Sequence, residues 1–281
     1  MARKSSKSTA LVPAGGRKSV GARRSKAPTP VPATLDTLTP VLGYEVVVTK
    51  LAGSGGEIIC DDGVVLVTGR AYATGEGVLP AEEIYYQRGT RPLFSGQSLG
   101  EADKVAWRDQ TSGYDCIIMR DPRGGFLSGY VGIPRGHPLW GWAHRAIPPD
   151  LGIEVHGGLT YSAPCQDVPS QMRHVALDAQ RICHVRAVPP TYASDYQPED
   201  AHAWWFGFSC NHSYDVISAD GPHSRRLLAS ENGQQYRDDA YVAREITNLA
   251  AQLRAIADGV PVPPRKGPPL PPIGLDPHRG G

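Results

Sequence analysis

The run Trp204-Trp205-Phe206-Gly207-Phe208-Ser209-Cys210-Asn211-His212-Ser213-Tyr214-Asp215 constrains the fold more than any other stretch of this chain. Four aromatics in five positions have the bulk and β propensity of a buried strand. The apolar character stops at Ser209, and Cys210, Asn211, His212 and Asp215 follow within six residues. A stiff strand that delivers polar side chains at its end is how a fold holds a reactive constellation in place. A plainer task also suits these residues: His212 and Asp215 could cap and hydrogen-bond the turn that ends the strand.

At 281 residues the chain has room for one or two domains. Its 32 glycines and 26 prolines, with only 40% hydrophobic residues, fit loop-rich β structure between disordered tails. The net charge of +1 hides a split. Residues 1–26 hold eight basic residues and no acid, which leaves 21 basic against 28 acidic residues, a net −7, for the remainder. An acidic body is a poor nucleic-acid surface, so any such contact falls to the basic tail, and a solvated tail is the preferred reading of that arm. No run of about 18 apolar residues exists, which excludes a membrane-spanning helix. No apolar stretch follows the basic start, so an export signal is not expected. The five cysteines are widely spaced and odd in number, and reduced thiols in a cytoplasm are the simplest reading.

Along the chain, residues 1–38 read as a disordered basic tail and 39–100 as a β-rich segment. Within the latter, Glu45–Thr49 is a β-branched run, and Asp61-Asp62-Gly63 between two apolar runs signals a hairpin. That segment is either a small separate β unit or an extension of the main sheet. Residues 101–258 read as an α+β domain, an antiparallel sheet packed by one C-terminal amphipathic helix. Its expected strands include Cys116–Arg120, Phe126–Ile133, Ile153–Tyr161 and Trp204–Phe208. The helix is expected over 239–257, where Val242, Ile246, Leu249, Leu253 and Ile256 keep a 3.6-residue period. It reads as core with no role in a site, Arg244 lying on its opposite face. Residues 259–281 hold eight prolines and read as a Pro-rich disordered tail.

The blocks Ser112-Gly113, Gly129-Tyr130-Val131-Gly132, Gly136-His137-Pro138, Glu154 through Tyr161, Trp204 through Phe208 and Tyr236-Arg237-Asp238 resemble a family of small uncharacterised proteins common in bacteriophage and prophage genomes. The resemblance covers about 101–258. In that family the aromatic strand runs into Asp-Cys-Ala-His and ends in Asp. Here Cys210, His212 and Asp215 match, whereas Ser209 stands where the family has its first acid. The resemblance implies a phage-type protein acting in the cytoplasm of a bacterial host.

The chemistry open to the matched residues follows from their types. His137, His156 and His212, with Asp215, suit general acid–base work on a phosphodiester. His156, His212 and Asp215 are also ligand types for a divalent metal. Arg135, Gly157, Gly158, Tyr161 and Trp205 are the candidate ligand-binding residues: a cation, bare backbone and aromatic faces. Cys165, Cys183, His184 and Cys210 could close a structural zinc site, but buried thiols are preferred because no Cys-x-x-Cys pair is present. Cys210 lacks an adjacent base, which disfavours a thiolate nucleophile. Three readings stand: a hydrolase acting on a small nucleotide such as a cyclic dinucleotide immune signal, a non-catalytic sponge for that ligand, or a structural or regulatory phage protein. A homo-oligomer is left open.

Overall fold

A computed structural model describes residues 50–87, 100–165, 174–184, 203–216 and 234–270, with Val31–Pro32 as a short strand. Glu45–Thr49, most of the basic tail and residues 271–281 lie outside the described residues. The fold is α+β, built on a nine-stranded antiparallel sheet. In chain order its strands are β1 (Val31–Pro32), β3 (Glu57–Asp61), β4 (Val64–Thr68), β7 (Ala81–Gln87), β8 (Lys104–Arg108), β9 (Asp115–Arg120), β10 (Leu127–Ile133), β11 (Tyr161–Pro164) and β12 (Trp204–Ser209). Their spatial order is β1-β3-β4-β7-β8-β9-β10-β12-β11. A second, three-stranded sheet joins β2 (Leu51–Ala52), β5 (Ala71–Ala73) and β6 (Val78–Leu79).

The Asp-Gly hairpin forms as its sequence demands. Asp62 and Gly63 both take positive φ, 44° and 76°, the left-handed pair that a two-residue turn between twisted strands requires. β7 then pairs with β8 over Ile84↔Val105 and Tyr85↔Lys104. The β-rich N-terminal segment is therefore continuous with the main sheet. Val31 pairs with Ile58, so the basic tail is not structureless throughout.

The aromatic strand β12 lies between β10 and β11. Phe206 and Phe208 point into the main core with Val131, Ile133, Ile246, Leu249 and Leu253. Trp205 joins the small cluster of Ala106 and Ile117 on the other face of the sheet. Gly129 lies directly beneath Phe208 and Ile246, where any side chain would collide with both. That gap lets the helix settle onto β10.

Among the described residues two α-helices complete the fold, α1 (Val175–Asp178) and α2 (Asp239–Asp258). Asp238 caps α2, its side chain accepting from the Tyr241 N–H at 2.8 Å, and left-handed Gly259 (φ 65°) ends it. The expected disordered tail needs correction from this point. Arg265 pairs with the buried Glu245, and Asn248 exchanges two hydrogen bonds with the Lys266 backbone at 2.8 and 3.0 Å. Residues 260–270 thus lie along α2, because a polar strip on the helix satisfies a chain whose prolines cannot pair in a sheet. Arg244 is likewise not on a bare face: it pairs with Glu76 and sits over the Tyr241 ring at 5.3 Å.

The segment carrying α1 packs on the opposite face of the sheet, Val175 and Ala179 against Val64, Leu66 and Tyr85. The fully buried Lys104 ammonium secures it, donating to the carbonyls of Asp178, Arg181 and Cys183 at 2.6, 2.8 and 3.0 Å. The expectation of five reduced thiols fails here, for Cys165 and Cys183 are joined in a disulfide with their Cα atoms 5.4 Å apart. The end of β11 and the strand-free stretch after α1 meet at bonding distance, which spacing along the sequence does not reveal. Cys60, Cys116 and Cys210 form no disulfide, and no four-residue Cys/His zinc set assembles, among the described residues.

Candidate functional site

At the end of β12 the chain turns through His212–Asp215 and pairs with residue 235, Val216 N donating to Gln235 O at 3.0 Å. That pairing draws Arg237 to the turn. Asp215, buried, becomes the acceptor on which everything converges. Its Oδ2 accepts from His156 Nε2 at 2.9 Å, from the His212 N–H at 3.0 Å and from His212 Nδ1 at 3.2 Å. Its Oδ1 accepts from Arg237 Nε at 3.0 Å. Burial alone would raise the Asp215 pKa, but His156, His212 and Arg237 outweigh it and hold the carboxyl well below the ordinary carboxylate range. Turn-capping and side-chain orientation are thus one arrangement: the same carboxylate binds the His212 backbone and both rings.

His156 is fully buried. It lies in a turn, not in the strand expected over Ile153–Tyr161, since β11 begins only at Tyr161. Left-handed Gly157 (φ 63°) and Gly158 (φ 79°) break the strand. A side chain on Gly157 would run into the His212 ring, so the bare backbone is what admits that ring. In neutral His156 the proton sits on Nε2 toward Asp215, and Nδ1 accepts from the Tyr241 hydroxyl at 2.8 Å. The His156 N–H donates to Glu245 Oε2 at 3.2 Å. His212 stacks on Tyr214, ring centroids 5.1 Å apart and 10° from parallel.

The helix therefore takes part in the site, against the expectation that it is core alone. Tyr241 and Glu245 stand one turn apart on α2 and hold the His156 turn, while Arg237 just before the helix holds Asp215. Sequence reasoning passed over these three. The signal was there: Tyr241 and Glu245 interrupt the apolar stripe at i, i+4 spacing, and Arg237 belongs to the Tyr236-Arg237-Asp238 block.

Other expected site residues lie elsewhere. His137 is buried with its ring spent on backbone: Nδ1 accepts from the Leu139 N–H at 3.0 Å and Nε2 donates to Leu253 O at 2.8 Å. Desolvation lowers its pKa, in keeping with a neutral ring. Trp205 and Tyr161 are on the sheet face away from Phe208, Tyr161 in edge contact with Tyr130 at 5.3 Å. Arg135 sits over the Trp140 ring, 5.3 Å from its centroid. His184 lies between Glu82 (3.2 Å) and Asp115 (3.7 Å), apart from the His156 cluster. Ser209 alternates away from Phe208, its hydroxyl 3.4 Å from that of Thr160 and donating to Asn211 Oδ1 at 2.8 Å. Ser209 takes no part in the four contacts to Asp215. Burial, with Asp215 and Glu245 nearby, pushes the Cys210 thiol well up, which disfavours a thiolate there.

The arrangement can do two kinds of chemistry. Asp215 fixes the His212 ring through Nδ1, as a carboxylate does for a histidine in proton transfer. His156, His212 and Asp215 also bring one donor atom each within 4.8 Å of one another. His156 Nδ1 is held by Tyr241 and Asp215 Oδ1 by Arg237, the outer support that metal ligands need. No helix of the described residues is long and apolar enough to cross a membrane. No protein-family model, curated protein or solved structure matches the chain.

Proposed function

We propose that this is a phage-type protein that acts in the bacterial host cytoplasm on a small nucleotide, hydrolysing a phosphodiester with His212 as acid–base group. The observation that carries the reading is the single Asp215 oxygen shared by both imidazoles at 2.9 and 3.2 Å. An ionised carboxylate behind His212 favours the imidazolium that forms when the ring takes a proton from an attacking water. His156 is enclosed on every side, so its part is positioning: it holds Asp215 and, through Tyr241 and Glu245, ties the turn to the helix. The Gly157-Gly158 backbone and the hydroxyls of Thr160 and Ser209 border the turn and offer a phosphate small polar neighbours.

A second reading has its own observation, the three donors of His156, His212 and Asp215 within 4.8 Å, which suits a divalent metal that would activate the water in place of a histidine. One experiment separates the readings. The full chain is incubated with a panel of cyclic and linear nucleotides, with and without a chelator, and the products are separated by chromatography. Metal-independent loss of a cyclic nucleotide, abolished in His212→Ala, is the expected result. Turnover that stops with chelator assigns the site to a metal. Ligand retained and released intact on heating makes the protein a sponge, and no ligand at all removes the nucleotide reading.

A further inference from the structure

The first part of the loop between β10 and β11, residues 134–147, has no assigned task. It carries Trp140 and Trp142, and the first residue of β12, Trp204, meets them: three of the chain's five tryptophans lie together. Trp142 is 43% exposed, a costly placement for the largest side chain in the protein. Trp140 and Trp204, both half-buried, pack at 5.8 Å between ring centroids.

The exposure does not come from a loose loop. His137 pins the start of the segment to the last turns of α2 through Leu253 O. Successive turns follow, Trp140 N donating to His137 O at 2.9 Å and Trp142 N to Leu139 O at 3.1 Å. The Trp204 indole donates to Trp142 O at 3.0 Å. At the far end His144 is fixed to β11, its backbone N 2.8 Å and its Nδ1 3.1 Å from Ser162 Oγ. A rigid backbone thus presents Trp142 to solvent.

Charge says what such a surface suits. From Pro122 to Pro149 the chain has no acidic residue and carries Arg123, Arg135 and Arg145, within a body that is otherwise net acidic. Arg135 lies over Trp140, and Arg135 and Arg145 are both exposed. Flat aromatic faces interleaved with guanidinium groups match alternating bases and phosphates. Trp204 and Ser209 are opposite ends of β12, about 17 Å apart at ~3.4 Å per residue. A mononucleotide at His212 does not reach the tryptophans, whereas several linked nucleotides do.

We propose that the Trp140, Trp142 and Trp204 platform, flanked by Arg135 and Arg145, binds a short single-stranded oligonucleotide. Trp142 stacks on a base and the two arginines engage phosphates. The proposal names a ligand class for the nucleotide reading given above, yet binding here needs no reaction at His212. Failure of the turnover assay therefore leaves it standing, and the reverse is also true.

The test titrates the full chain into labelled single-stranded DNA and RNA of about ten nucleotides, a length within the usual site size, across a range of salt. Tryptophan quenching and anisotropy are read together. Trp142→Ala should weaken binding about 5- to 100-fold at an unchanged melting temperature, and Trp142→Phe should recover part of the loss. Arg135→Ala and Arg145→Ala should each flatten the salt dependence by about 0.7 in log–log slope. The DNA and RNA arms show which sugar is preferred. Equal affinity of Trp142→Ala and wild type overturns the proposal, because the basic arm of residues 1–26 then accounts for the binding. So does the absence of binding, or a duplex bound as tightly as the single strands.

Discussion

Asp215→Ala leaves two imidazoles, a guanidinium and a backbone N–H without their acceptor inside the protein. Removing one partner of a buried charged group costs about 3–5 kcal/mol, and urea unfolding should show a loss of that order. The pH dependence has a definite sign. The carboxyl pKa is held down in the folded chain, so its contribution is full above the unfolded value and fades as pH falls through the folded one. Asp215→Asn should therefore flatten the acid limb of the stability profile. His184 has the opposite sign. Burial lowers its pKa, but Asp115, Glu82 and Glu83 prevail and hold it up to about 9. The clamp between β7 and β9 is then complete below the ordinary histidine range and is lost as pH climbs through about 9. Thermal melts from pH 6 to 10 should fall for wild type and stay flatter for His184→Gln. At this scale the sequence showed residue types and not neighbours. His156, His212 and Asp215 were legible because they end a strand or flank glycines. His137 has the same local setting and spends both nitrogens on backbone, a fact fixed by Leu253, 116 residues away.

The helix α2 was the most legible element, since its apolar stripe, its Asp238 cap and its Gly259 stop are all local signals. Leu249→Ala or Leu253→Ala, both fully buried, should cost about 2–5 kcal/mol in a denaturant titration. Arg244→Ala should cost about 1 kcal/mol or less, because its Glu76 partner is half in solvent. The Pro-rich segment was misread because composition reports what a chain does alone, while Arg265 on Glu245 and the Asn248–Lys266 backbone pair dock it. Arg265→Ala should release residues 260–270 and strand Glu245, which is fully buried, at a cost of about 3–5 kcal/mol. Faster proteolytic cleavage after Gly259 would accompany the loss. An unchanged melting temperature and cleavage pattern would show that the docking is dispensable.

Across the whole molecule, the β7–β8 pairing joins β3, β4 and β7 to β8, β9, β10, β12 and β11 in one sheet. Far-ultraviolet dichroism and tryptophan fluorescence should follow one unfolding curve, and two separated transitions would contradict a shared core. Hairpin order was readable from turn chemistry, but the place of β12 was not, because the aromatic strand pairs with β10 across a long intervening stretch. That insertion has a consequence for synthesis. When the ribosome has made β10 and β11, β10 has β9 on one side but lacks β12, the strand that will separate it from β11, and it shows the outer side of a growing sheet to solvent. The exposure lasts until Trp204–Ser209 emerges, several seconds later at about 5–20 residues per second. During that interval any extended peptide can lie along β10, another nascent copy included. Yield in a cell is then set by how quickly one late strand arrives, and slow codons between residues 165 and 203 should send more of the product into aggregates with the amino-acid sequence unchanged.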